Sequence, residues 1–146
     1  MTAPTLEILA PIYAAITAAS AITTELGSYN GAAAVFTRRP VPDDAPTPMV
    51  AIGPMVTRSE DDLVTAFRPS VVVDLLVAGD QKTEYRLVER VAELIYGLFH
   101  RQPDAITVDG YSVTQIRATG PSPSPADGDS KVARRVTLTI ELFAVA

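Results

Sequence analysis

The stretch PSVVVDLLVAGDQKTEYRLVERVAELIYGLFHRQ, from Pro69 to Gln102, joins a strand with apolar side chains on both faces to an amphipathic helix through one Gly79-Asp80 turn. Counting by twos puts Val71, Val73, Leu75 and Val77 on one face and Val72, Asp74 and Leu76 on the other. A sheet covered by helices on one side needs a single apolar face. The surplus at Val72 and Leu76 is therefore expected to be buried against more of this chain or against another copy. Asp80 is the expected N-cap of the helix, whose buried stripe is Val88, Val91, Ala92, Ile95, Leu98 and Phe99. Glu89, Arg90, Glu93 and Arg101 fall on the wet face.

Outward from this unit, Met1 to Ala10 reads as an arm, and Pro11 suits the first position of a helix that Gly27 would stop. Ile12, Ile16, Ala19, Thr23 and Leu26 give that helix one stripe for packing on a sheet. A short strand is expected over Ala33 to Thr37, then a stiff connection, RRPVPDDAPTP, whose four prolines forbid regular pairing. From Met49 to Thr57, Val50, Ile52 and Val56 share one side, with Pro54 marking an edge or bulged strand. Arg58 to Asp62, RSEDD, reads as a solvated connection. In ITVDGYSVTQIRATG, Asp109-Gly110 signals a hairpin, and the odd spacing of Val113 and Ile116 signals a bulge. GPSPSPADGDS, from Gly120 to Ser130, reads as a flexible loop before a long strand from Val132 to Val145.

The 146 residues fit one domain spanning 1–146. A net charge of -5 argues against a general nucleic-acid binder, which needs clustered Lys and Arg. With no cysteine, disulfides, thiolate catalysis and cysteine-based metal sites are excluded. One histidine, His100, rules out a two-histidine metal centre, and its place near a helix C-terminus fits a dipole contact. No G-x-S-x-G context or glycine-rich phosphate loop occurs. The carboxylate pairs Asp43-Asp44 and Asp127-Asp129 sit in loops, whereas acid-base work needs rigid positioning. No enzyme activity, cofactor or metal is expected. The N-terminus lacks the basic residues that open a signal peptide, and Glu7, Pro11 and Glu25 interrupt any membrane-length run, so cytoplasm-like conditions and no membrane are expected.

Val35-Phe36, then APTPMVAIG from Ala45 to Gly53, VVVDLLVAG from Val71 to Gly79 and RRVTLTIEL from Arg134 to Leu142 follow one another in an order that resembles the tail-completion, or tail-terminator, family of tailed phages and gene transfer agents. The resemblance covers nearly the whole chain and rests on hydrophobic and turn patterns. It implies an α+β protomer: an antiparallel sheet, here of about four main strands, with two helices packed on one face. It further implies a homo-oligomeric ring, generally a hexamer, in the tail-neck region of a virion or phage-like particle assembled in the host cytoplasm. Such a ring caps the head-proximal end of the tail tube, stops tube polymerisation and joins tail to head. Its partners would be the tail tube protein and the head-tail connector or stopper, with DNA passing through an acidic lumen without specific binding.

The residues expected to meet partners or neighbouring subunits are Arg38, Arg39, Val72, Leu76, Asp127, Asp129, Arg134 and Arg135. The alternatives are a head-tail stopper or other neck protein and, from a different class, a small ligand-binding or enzymatic α+β domain, which would need a polar-lined pocket.

Overall fold

In the computed structural model residues 6–37, 41–62, 66–124 and 131–145 are described, and at 58–62, 66 and 67 the backbone alone. The elements run α1 (Leu9–Ala18), α2 (Ser20–Thr23), β1 (Ser28–Tyr29), β2 (Ala32–Ala33), β3 (Val35–Phe36), β4 (Met49–Asp62), β5 (Ala66–Asp80), α3 (Tyr85–Phe99), a 3-10 turn (Pro103–Ala105), β6 (Tyr111–Pro123) and β7 (Lys131–Ala144). Strands β3-β4-β5-β7-β6 form one sheet in that order, and β1-β2 a separate two-residue hairpin. The α+β class is as expected. The sheet is mixed rather than purely antiparallel, because β3 joins β4 in parallel through Val35↔Val50 and Phe36↔Ala51.

The apolar phase of β5 explains its central place. Val71, Val73, Leu75 and Val77 are all fully buried, beneath a helical layer that contributes Ile12, Ile16, Ile22, Val88, Val91, Ala92, Ile95 and Phe99. Val136, Leu138 and Ile140 of β7 stand opposite Leu75, Val73 and Val71 and complete the same face. Each such side chain contributes about 2 kcal/mol on burial. α3 packs on β5, β7 and β6, and α1 on β3 and β4, so both helical pieces cover one face.

Several expectations shift by local physics. The N-terminal helix starts at Leu9 rather than Pro11, and Ile8 of the supposed arm is fully buried in the core. The helix breaks at Ala19, which is extended, before the short α2. The expected strand at Ala33 to Thr37 divides between the small hairpin and the main sheet. A bulge between Ile52 and Met55, at Gly53 (φ 117) and Pro54, moves Val56 to the face opposite Val50 and Ile52. RSEDD is not a connection: β4 runs on to Asp62, paired with Ala66. Asp109-Gly110 does make a turn, but residues 106–108 form no strand, and β6 instead begins at Tyr111 against β7.

The bulge expected between Val113 and Ile116 is present, and it keeps both on the helix-covered side, opposite Leu142 and Ile140. Residues Pro121 to Pro123 of the supposed flexible loop belong to β6, with Ser122↔Arg135 and Pro123↔Arg134 in register. Gly120 (φ 102) makes the step before them, and a Cβ there would meet Arg135 O at 2.6 Å. Asp127 and Asp129, like Arg38 and Arg39, lie outside the described residues.

The strand-to-helix turn works by a different route from the one expected. Glu84, not Asp80, is the N-cap of α3, and it makes no side-chain cap. Asp80 Oδ1 accepts the Lys82 and Thr83 N–H groups at 2.9 and 3.1 Å, while Glu84 Oε1 accepts the Asp80 N–H at 2.7 Å. Two carboxylates thus tie both ends of the turn one step before the helix begins. Gly79 is required because a Cβ there would meet Val88 Cγ2 at 2.6 Å. Gly79→Ala should lower the unfolding free energy by about 1–3 kcal/mol, read from denaturant titration.

The Thr83 N–H first, then that of Lys82, hold the Asp80 carboxyl below its ordinary value of 3.8. A folded-state value below the unfolded one gives stability that is present above the unfolded value and lost as pH falls through the folded one. Asp80→Asn should therefore flatten the loss of stability below about pH 4, measured as denaturant midpoints across an acid series.

Candidate functional site

The face of the sheet turned away from the helices carries Val72, Asp74 and Leu76 on β5, all half-buried. Register supplies their neighbours. Val72 lies between Val56 and Thr139, Asp74 beside Thr137, and Leu76 between Ala51 and Arg135. Val56, exposed by 57%, extends the apolar strip of Val72 toward the β4 side. Thr137 Oγ1 donates to Asp74 Oδ1 at 2.8 Å, and Arg135 Nη1 sits 3.9 Å from Asp74 Oδ2. A polar cluster thus interrupts two apolar strips at the middle of the face.

Val72 and Leu76 are consequently on the face not covered by this chain's helices, and each is half-buried there. The face is not uniformly open, however. Ala51, Ala78 and Ala133, which line up beyond Leu76 on the same side, are buried. Phe36, the cross-strand neighbour of Ala51, is buried too, and its ring meets Tyr29 of the β1-β2 hairpin edge-on at 5.3 Å.

The arginine doublet splits. Because successive strand residues point to opposite faces, Arg135 joins the open face and Arg134 turns under the helices. Arg134 Nη2 donates to Tyr85 Oη at 2.9 Å and to Glu89 Oε1 at 3.1 Å, and its Nη1 donates to Ala133 O. Its guanidinium carbon also lies 5.2 Å from the centre of the Tyr85 ring. Only 14% of the Arg134 side chain is exposed, against 44% for Arg135. Arg134 is thus a clamp between β7 and α3, and Glu89 is engaged rather than simply solvated. The register that adds Thr137 and Val56 to the face depends on pairings between distant segments, and no local pattern announces it.

His100 does other work than the expected dipole contact. Its Nδ1 accepts the Ala118 N–H at 3.1 Å, its ring stacks on Tyr96, and the Arg101 N–H beside it donates to Ile116 O. These bonds occupy the outer edge of β6. Among the described residues no group of three or more His, Cys, Asp or Glu is placed to hold a metal ion. No helix among them is long and apolar enough to cross a membrane. A shallow depression is lined by Glu7, Leu9, Ala10, Tyr13 and Thr37, and the Glu7 carboxylate there accepts the Ala10 N–H.

The two arginines should separate in unfolding experiments. Arg134→Ala should cost about 1.5–3 kcal/mol through its lost charged hydrogen bonds, whereas Arg135→Ala should change stability by less than about 0.5 kcal/mol.

No protein-family model matches the sequence. No curated protein matches it either. Among solved structures, a chain from "Virion of native gene transfer agent (GTA) particle" has the same fold, with a TM-score of 0.70 over 94% of this chain and 93% of that one, at 14% identity.

Proposed function

We propose that this protein is a structural subunit of a phage-like particle, and specifically a ring subunit that caps the head-proximal end of a tail tube, stops its polymerisation and joins it to the head. The observation that carries this reading is the shared fold with a gene transfer agent virion chain over nearly the full length of both. The family-like order of Val35-Phe36, Ala45 to Gly53, Val71 to Gly79 and Arg134 to Leu142 supports the finer assignment. So does the sheet face of Val72, Asp74, Leu76 and Arg135, an uncovered surface suited to a protein partner rather than to a small molecule.

The mechanism is binding alone. A ring presents one surface to the last layer of tube subunits and another to the connector, so no further tube subunit can add. Symmetry multiplies modest contacts, because each docking event engages several equivalent sites at high effective concentration. The acidic balance of the chain suits a lumen through which DNA passes without adhering.

The test is polymerisation of purified tail tube protein with and without this protein, followed by electron microscopy. Tubes should be shorter in its presence and end in a ring, and Leu76→Asp should abolish the effect without lowering the melting temperature. Tubes of unchanged length with bare ends would overturn the capping role. Rings bound to isolated connectors but never to tubes would assign it to a stopper instead.

A further inference from the structure

The one histidine of the chain joins helix to sheet through a bond that only a neutral imidazole can make. We propose that His100 is a proton-sensitive latch, which closes the outer edge of β6 near neutral pH and releases it in mild acid. The proposal stands apart from the capping role above, since it concerns the protomer alone.

The latch is built where α3 stops. His100 leaves the helix with extended backbone (φ -63, ψ 119), while its own N–H still donates to Tyr96 O at 2.8 Å. Arg101 then takes the left-handed conformation (φ 59), and its N–H donates to Ile116 O at 2.9 Å. The imidazole continues the same docking one step along the strand, with Nδ1 3.1 Å from the Ala118 N. β6 is the last strand of its sheet, so these two groups sit where an added strand would bond. Ala118 is buried, and its N–H has no ready recourse to water.

A backbone amide only donates, so Nδ1 must accept. That fixes the ring as the neutral tautomer with its proton on Nε2. Imidazolium carries a proton on both nitrogens and has no lone pair left. Turning the ring over does not help, because it brings Cδ2–H to the place of Nδ1. Protonation thus leaves the buried Ala118 N–H without a partner, which is a costly defect. The ring itself has a reason to stay with the helix. It stacks on Tyr96 with centroids 4.7 Å apart, and an aromatic face attracts a cation. The bond to β6 is what gives way.

Few other ionisable groups bear on the ring. On α3 they are Tyr96 itself and Glu93, about two turns back. Arg101 and Asp104 follow in the chain. On β6, Arg117 pairs with Thr139 on the open face of the sheet, the side away from the helices. His100 forms no ion pair among the described residues, so no carboxylate is bonded to the ring to hold an imidazolium in place. Of the ordinary side chains, imidazole is the one that changes charge between about pH 5 and 8.

The test is hydrogen exchange at the Ala118 amide, expressed as protection relative to an unstructured amide, at about pH 7.5 and about pH 5.5. Both values lie above the range in which Asp80 titrates. In the wild type the protection of Ala118 should fall at least about tenfold in acid, while amides of the central β5-β7 pairing keep theirs. His100→Asn puts an amide oxygen where Nδ1 stands and does not titrate, so protection should stay high at both values. His100→Ala should lose it at both. The imidazole nitrogen NMR spectrum of the wild type at neutral pH should show the Nε2–H tautomer, a readout that needs no variant to fold. Equal Ala118 protection at both values, an Asn variant as acid-sensitive as the wild type, an Ala variant still protected at neutral pH, or an Nδ1–H tautomer would each overturn the proposal. So would uniform loss across the β5-β7 amides in acid, which would report unfolding of the whole sheet instead of release of its edge.

Discussion

The burial of one row of side chains, Val71, Val73, Leu75 and Val77, beneath the helices is the constraint on which the rest of the structure depends. A strand with no exposed atom on one face must be flanked on both sides and roofed, so β5 takes the sheet centre between β4 and β7. Its central place makes the Gly79 to Glu84 turn a tight one, since α3 has to fold back at once onto the strand it follows. The need for close approach excludes a Cβ at Gly79. The need to satisfy the turn's N–H groups recruits Asp80 and Glu84.

With one face committed to the core, the middle of the other face, at Val72, Asp74 and Leu76, is only half-buried, while Ala51, Ala78 and Ala133 on the same side are covered. Strand alternation then assigns neighbouring residues to different tasks. Arg134 closes the helix layer through Tyr85 and Glu89, while Arg135, one residue on, meets Asp74 in the open. The same logic makes bulges consequential. The one at Gly53 sends Val56 to the open face beside Val72, and the one before Gln115 keeps Ile116 inside. An apolar side chain is thus presented outward at one bulge and retained at the other.

The sheet also treats its two edges differently. The end of α3 guards β6 by using its backbone groups, with His100 as a side-chain acceptor where another strand would bond. β4 beyond the bulge has no such guard among the described residues, and it carries Met55 and Val56. This asymmetry closes one edge to strand addition while the other, among the described residues, stays bare. It also favours contacts built from side chains over indefinite strand addition, which is the aggregation hazard of two bare edges.

By itself the sequence determined what depends on local periodicity. The strand and helix of Pro69 to Gln102, the long last strand, the bulge before Ile116 and the helix stripe from Val88 to Phe99 were legible because alternation by two and by 3.6 is written in adjacent residues. The tertiary structure decided what depends on partners far away in the chain. It turned RSEDD from a connection into paired strand, and gave Asp109-Gly110 a turn without its hairpin. It drew Pro121 to Pro123 into β6, buried Ile8, and separated Arg134 from Arg135. In each case the deciding hydrogen bond or contact joins segments whose proximity no local pattern encodes. For the same reason the open face was foreseen at Val72, Asp74 and Leu76, where alternation within one strand suffices. Thr137 and Val56 joined it through cross-strand register.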